Sequence, residues 1–307
     1  MLLEFSLELI GAIKFPGWLD ETAIQITEKI SVKWYGIAYI VGLFGAYFYA
    51  RRTSENKGIW QSDAAMDMAL VPNKRMLEDY MFFCLLGIII GGRVGHTVLY
   101  NFGGFLADPI SFFKVWEGGM AFHGGFLGVC LAAIYLARSR KLRLMRVADL
   151  AAISAPIGLG LVRLANFVNQ ELWGRTTDVP WAFIFYNKGT EFYEPPRHPS
   201  QLYEAFLEGL VIFTVLWIAS RRFKILTKPG LATGMFLLMY GSFRIFVEFF
   251  REPDATLFGP LTRGMTYSLP MVIIGLLVIL WAAKRAPVAP EWPAVEVDDD
   301  DKADAVA

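Results

Sequence analysis

Arginines, glutamates and a histidine recur along this chain inside stretches that are otherwise apolar. Residues 240–251 carry Tyr240, Arg244, Glu248 and Arg251 at steps of four, four and three. On a helix those four side chains form one stripe. An ionisable group at the centre of a bilayer costs roughly 2.5–3.5 kcal/mol on insertion scales, so each one calls for a partner or a task. An Arg–Glu ladder against a neighbouring helix would satisfy one pair and leave the second arginine as surplus positive charge near the outer end.

Residues 161–175 hold Arg163, Asn166, Glu171, Gly174 and Arg175. Arg163 and Asn166 share a helical face, and Glu171 and Arg175 could pair if the helix continues. Residues 197–204 open another apolar run. Pro199 and Ser200 there are explained by a helix start, whereas Gln201 and Glu204 point together into a bundle. His123 stands near the start of a further run, either as a hydrogen-bonded interface residue or as a group that exchanges protons near neutral pH. Gly124 and Gly128, like Gly91 and Gly95 on either side of Arg93, have the spacing that lets helices approach closely, and they read as packing devices. Clustered guanidinium groups suit a phosphate, which accepts bidentate hydrogen bonds, and an apolar surround suits acyl chains. Together these residues describe an outward-leaning polar cavity for an anionic phospholipid.

The elements that must position them are membrane helices. The chain is 55% hydrophobic and 19% charged, below the quarter or so of charged residues in soluble domains, and its apolar stretches run to about twenty residues, the length that crosses a bilayer. An all-α integral membrane fold of about seven spans follows, near 35–50, 80–100, 122–137, 148–165, 202–220, 231–250 and 269–283. Lys and Arg crowd the connections after the first, third, fifth and seventh spans, among them Arg51, Arg52, Arg138, Arg140, Lys141, Arg143, Arg146, Arg221, Arg222, Lys284 and Arg285. The positive-inside rule then puts the N-terminus outside and the C-terminus in the cytoplasm.

Residues 1–30 lack the basic start of a cleavable leader and read as an interfacial segment. The spans occupy 31–285. The 101–119 connection, with Phe112, Phe113 and Trp116, suits the membrane interface, and 166–199 forms a small external cap. The Pro-, Ala- and Asp-rich tail, 286–307, reads as disordered. Cys84 and Cys130 lie in apolar runs as small buried hydrophobes, and no Cys/His cluster suggests a metal. Nor is there a basic domain of the kind that binds nucleic acid.

Six segments in consistent order, from 31 to 270, resemble the bacterial phosphatidylglycerol–prolipoprotein diacylglyceryl transferases. They are Trp34-Tyr35-Gly36, Gly91-Gly92-Arg93, His123-Gly124-Gly125, and the stretches 163–175, 197–204 and 240–254. In the first of those stretches, and just before it, Val162 and Ala165 replace two glycines of the family's usual signature, while its polar residues remain. The resemblance implies an inner-membrane enzyme that needs no metal or organic cofactor, and nothing in the sequence demands more than a monomer. It would transfer the diacylglyceryl group of phosphatidylglycerol to the lipobox cysteine of preprolipoproteins. It implies His123 as the base, Arg163 and Arg244 on the phosphate, and Glu248 or Glu204 as orienting groups. Tyr35, Tyr240 and Asn166 would place the lipid head, with Glu171, Gly174 and Arg93 completing the lipid site. Two other readings are a lipid or anion transporter and a transferase with a different lipid donor. A transporter needs a polar route to the cytoplasmic side, where the spans are largely apolar apart from Asp149.

Overall fold

The computed structural model describes residues 11–27, 31–65, 67–114, 118–187, 192–193, 195–252, 256–258 and 261–292. Among them, seven helices of 18 residues or more make up most of the molecule: α1 (Trp34–Glu55), α2 (Lys74–Tyr100), α3 (Phe122–Ser139), α4 (Leu144–Val168), α5 (Ser200–Arg222), α6 (Leu231–Glu248) and α7 (Arg263–Ala283). Five of them, α2 and α4 to α7, are long and apolar enough to cross a membrane. Their outer faces expose Phe82, Ile90, Ile273 and Leu277, and α1 and α3 expose Phe44, Phe48, Leu127 and Leu131. A continuous apolar exterior of this kind is stable in hydrocarbon and not in water.

Hydrocarbon supplies no hydrophobic force between helices, so packing depends on close backbone approach. Glycines provide it. A Cβ at Gly87 would lie 2.6 Å from the Gly128 carbonyl carbon, and one at Gly95 would lie 2.8 Å from Gly124 Cα, which makes the glycine seam of α2 and α3 a direct backbone contact. Gly42 meets Gly158 between α1 and α4, and Gly160 meets Gly209 between α4 and α5. The role expected of Gly91, Gly95, Gly124 and Gly128 is the one they have.

Polar side chains complete the helix ends. Asn73 caps α2 by accepting from Met76 N at 2.9 Å, and Thr262 caps α7 by accepting from Met265 N at 3.2 Å. Asp149, fully inside the bundle, accepts from Gly230 N, Thr233 N and Thr233 Oγ1 at 2.7–2.8 Å. Asp149 therefore closes the N-terminus of α6, where the +100° φ of Gly230 requires glycine. Trp60, Leu150, Ile153, Ile212, Leu216 and Leu226 form the main buried core beside it.

Several expectations change at the ends of helices. α4 stops at Val168, and the chain turns through left-handed Gln170 and Leu172, so Glu171 and Arg175 do not share a helix. Within α5, Ala205–Val211 winds as a π-helix, an irregularity that hydropathy does not report. The described part of the N-terminal segment is extended. Strand β1 (Ile13–Lys14) pairs in parallel with β5 (Phe183–Ile184), and Phe15 packs on Phe167 and Phe185, which ties the segment to the 166–199 region. Hairpin β2–β3 (Thr22–Gln25, Ser31–Lys33) leads into α1.

The tail is ordered further than its composition predicts. Val288–Glu291 forms strand β10 along β4 (Asp67–Leu70), and the buried Arg146 donates to Val288 O and Ala289 O, each at 3.0 Å. A buried guanidinium that needs acceptors outweighs the poor strand propensity of the segment. Residues 293–307, with the acidic run, lie outside the described residues, as does Trp116. In the 101–119 connection, Phe102–Ala107 and Pro109–Phe113 form short helical turns that expose Leu106, Ile110 and Phe113.

Candidate active site

α4, α5 and α6 converge so that their charges meet at one end of the bundle. Arg163 on α4 faces Glu204 and Glu208 on α5, with ion pairs of 3.2 Å to an Oε2 of each. Both glutamates are completely buried, while the Arg163 side chain keeps 16% of its exposure. The two carboxylates, four positions apart on α5, lie on one face and fall on one guanidinium. Just past α6, the buried Arg251 donates to the other oxygen of Glu204 at 3.1 Å. On α6 itself Arg244 pairs with Glu248.

These six residues balance, with Arg163, Arg244 and Arg251 set against Glu204, Glu208 and Glu248. The surplus positive charge expected from the 240–251 stripe is absent because Glu204, on a different helix, answers Arg251. Buried charges persist only when paired in this way, since removing one partner leaves an uncompensated ion in low dielectric. Tyr240 lies within electrostatic range of Arg163, Glu208 and Arg244, stacks on Phe236, and packs against the main core.

A second knot adjoins the first. Asn166, one turn beyond Arg163, donates through Nδ2 to Tyr35 Oη and, at 2.8 Å, to Glu171 Oε1. Tyr35 donates to the same Glu171 oxygen. Gln201, at the start of α5, donates to Glu171 O at 2.6 Å, and Ser200 donates to Leu172 O at 3.0 Å. The left-handed turn after α4 thus hangs Glu171 between α1, α4 and α5.

Gly174 holds a third point. Its N–H donates to His198 O at 2.9 Å, and a Cβ there would lie 2.5 Å from Phe250 O and 2.6 Å from His198 Cβ, so only glycine fits. Arg175 donates through Nε to Arg251 O at 3.0 Å and does not reach Glu171. Arg197 pairs with Glu252 at 3.0 Å and lies over Trp173. Burial pushes the His198 imidazole below its usual value, and its Nδ1 lies 3.1 Å from Tyr203 Oη.

His123 and Arg93 stand apart from these knots. Arg93 donates to Phe112 O at 2.9 Å, to Gly119 O at 3.2 Å and to Ser111 O and Gly118 O, so its guanidinium anchors the 101–119 connection. His123 is exposed at the N-terminal end of α3, where it lines an apolar groove between α2 and α3, and meets the Tyr267 ring edge-on at 5.6 Å. α7 links it to the charged network. Gly264, three residues before Tyr267 and on the same face, packs against Glu248, where an added Cβ would lie 2.5 Å from Oε2.

Glu208 is the principal residue that spacing alone passed over. Its signal was present, a glutamate four positions after Glu204 within the apolar run 205–218. Gly264 and Glu252 carried no comparable signal, because their partners lie on other segments.

Residues 21–281 match the family model described as prolipoprotein diacylglyceryl transferase. The chain is also similar to proteins named phosphatidylglycerol–prolipoprotein diacylglyceryl transferase. One from Brucella anthropi and one from Brucella canis are each 45% identical, over 90% of this chain and 95% of theirs. A third, from Brucella ovis, is 44% identical with the same coverage. The matched stretch contains every knot of the site, from Tyr35 through Arg163 and Glu204 to Gly264, and by that match the chain belongs to the prolipoprotein diacylglyceryl transferase family.

Proposed function

We propose that this chain transfers the diacylglyceryl group of phosphatidylglycerol to the lipobox cysteine thiol of a preprolipoprotein, within the bacterial inner membrane. Sulfur attacks the C3 carbon of the diacylglyceryl group and the C3–O bond breaks. A thioether forms, glycerol 1-phosphate departs, and the thiol proton leaves on a base. The observation that carries this reading is Arg163, a partly exposed guanidinium set over two buried carboxylates in a helical membrane bundle. Negative charge grows on the leaving phosphate, and preorganised guanidinium groups in a dry site stabilise it. Arg163 and Arg244 take that role, with Glu204, Glu208 and Glu248 holding them in place.

His123 is the base, because the nucleophile must be a thiolate. It stands at the lipid-facing surface, where a signal peptide arriving in the bilayer would present its cysteine. Tyr35, Asn166, Glu171 and Tyr240 place the head group. Gly174 fixes the turn that carries Glu171, and Arg93 acts by shaping the 101–119 connection. The bundle crosses the membrane seven times as a monomer, with the N-terminus and the 166–199 cap outside and the C-terminus inside. The basic residues at the alternate helix ends support that orientation.

The test uses purified protein in vesicles with labelled phosphatidylglycerol and a lipobox peptide, and a Cys→Ser peptide as control. Label on the cysteine peptide alone is the expected result. No label on the cysteine peptide ends this reading.

A further inference from the structure

Five buried side-chain oxygens of the site have no hydrogen-bond donor among the described residues: Asn166 Oδ1, Asn169 Oδ1, Gln201 Oε1, Glu204 Oε2 and Glu208 Oε1. All are acceptors, and the amide orientations follow from chemistry. Asn166 Nδ2 faces a Glu171 carboxylate oxygen and Gln201 Nε2 faces the Glu171 carbonyl. Both partners only accept, so each amide oxygen must point the other way. Glu204 Oε2 has Arg163 across a 3.2 Å ion pair without hydrogen-bond alignment, and Glu208 Oε1 is the unused half of a carboxylate whose Oε2 takes Arg163 Nε. Gln201, Glu204 and Glu208 have no exposure, and Asn166 keeps 3%.

The set is contiguous. Asn166 and Asn169 lie one turn apart at the end of α4, Gln201 and Glu204 one turn apart on α5, and Glu171 joins Asn166 to Gln201. Buried acceptors left unmatched are destabilising, and so many in one place point to a donor-rich ligand.

We infer that these acceptors, Gln201 and Glu208 foremost, bind the hydroxyls of the head-group glycerol and so select the donor lipid by its polyol head. The inference rests on the transferase reading above and adds the residues that discriminate among head groups. Arg163 covers Glu204 and Glu208 in the ligand-free arrangement. When it turns to the lipid phosphate it uncovers both carboxylates, and the head-group hydroxyls replace it as their donors. The head group carries two hydroxyls, so two of these acceptors gain a donor while Arg163 stays beside the carboxylates on the phosphate. A head group without hydroxyls takes Arg163 and returns nothing to the carboxylates.

The experiment compares phosphatidylglycerol with phosphatidylpropanol of the same acyl chains, read both as label transfer to a lipobox peptide and as lipid binding to the purified protein. The unmodified protein should favour phosphatidylglycerol by about tenfold or more in both readouts, the effect of an unpaired buried acceptor. Gln201→Met removes the free acceptor at similar volume, together with the Nε2 donor to Glu171 O. It should lower transfer from phosphatidylglycerol by about tenfold more than transfer from phosphatidylpropanol. A preference near one in the unmodified protein overturns the inference, and that result does not depend on the variant folding. Equal losses on both donors also overturn it, as expected if buried water alone occupies these positions. Head-group preference in binding without transfer of label would strike the transferase reading and leave this one standing.

Discussion

Arg163 holds two buried carboxylates at once, and its planar fork is what makes that possible. Arg163→Lys keeps the charge and loses the fork. One of Glu204 and Glu208 is then left buried without its partner, a loss of about 3–5 kcal/mol for a broken buried pair. Transfer to a lipobox peptide should fall by about a hundredfold or more, and near-normal turnover would show that the paired geometry is dispensable. His123 separates differently, because it stands on α3 against the Tyr267 ring. His123→Gln should reduce turnover by about 10²–10⁴-fold, the usual worth of a general base, with binding of phosphatidylglycerol retained. Full turnover in that variant would remove His123 from the mechanism. Arg163, Arg244 and Glu248 were legible because a charge in an apolar run is expensive and therefore conspicuous. The same signal at Arg93 and Arg146 marks guanidiniums that bind backbone carbonyls, Arg93 those of residues 111–119 and Arg146 those of 288 and 289. Expense shows that a partner exists and does not say whether it is a ligand, a carboxylate or the chain itself.

The helices were legible as elements because twenty apolar residues admit few other structures, but their ends were not. The expected 148–165 span is helical over Leu144–Val168, and 35–50 over Trp34–Glu55, since Arg146, Arg51 and Arg52 lower hydropathy without breaking a helix. The π-helix left no trace either, because its sequence is as good an α-helix. Glycine spacing was the stronger signal, and it permits a prediction at this scale. Gly87→Val places a branched side chain into the Gly128 backbone of the α2–α3 seam, where a Cβ alone would already lie 2.6 Å away. Overpacking of a well-fitted contact costs about 1–3 kcal/mol. Thermal unfolding in detergent should occur at lower temperature, and transfer should weaken as α3 carries His123 away from Tyr267. Gly103→Ala is the control, with open space around the added methyl, and should melt with the parent protein. Equal melting of both variants would show that the seam tolerates separation.

At the scale of the whole molecule the bundle is closed differently at its two ends. The site end is tied by ion pairs and by strand β1 on β5, and the other end by β4, β10 and Arg146. With the basic helix ends inside, a membrane-impermeant thiol reagent should label Thr177→Cys from outside intact cells and Arg222→Cys only after permeabilisation, each measured against the parent protein, in which Cys84 is buried and Cys130 half-buried. The reverse pattern would invert the topology. The closure by β4, β10 and Arg146 carries the more demanding prediction. β10 follows α7, pairs with the strand between α1 and α2, and supplies the carbonyls that Arg146 of α4 requires, with Val71 N donating to Glu291 O at 3.0 Å and Lys57 over the Trp292 ring. Arg146 has no exposure and lies 5.2 Å from the Trp60 ring, so it cannot turn to water if those carbonyls are lost. A chain ending at Trp292 keeps every one of these contacts and should melt with the full protein. A chain ending at Ala286 strands a buried guanidinium and removes a strand from β4, and it should lose about 1–3 kcal/mol for the unmet hydrogen bonds alone. Replacing Arg146 by Met in the shorter chain removes the stranded charge and should recover part of that loss, because an apolar side chain of similar length tolerates the missing acceptors. If both truncations melt alike, β10 contributes nothing to the bundle, and Arg146 finds its acceptors elsewhere.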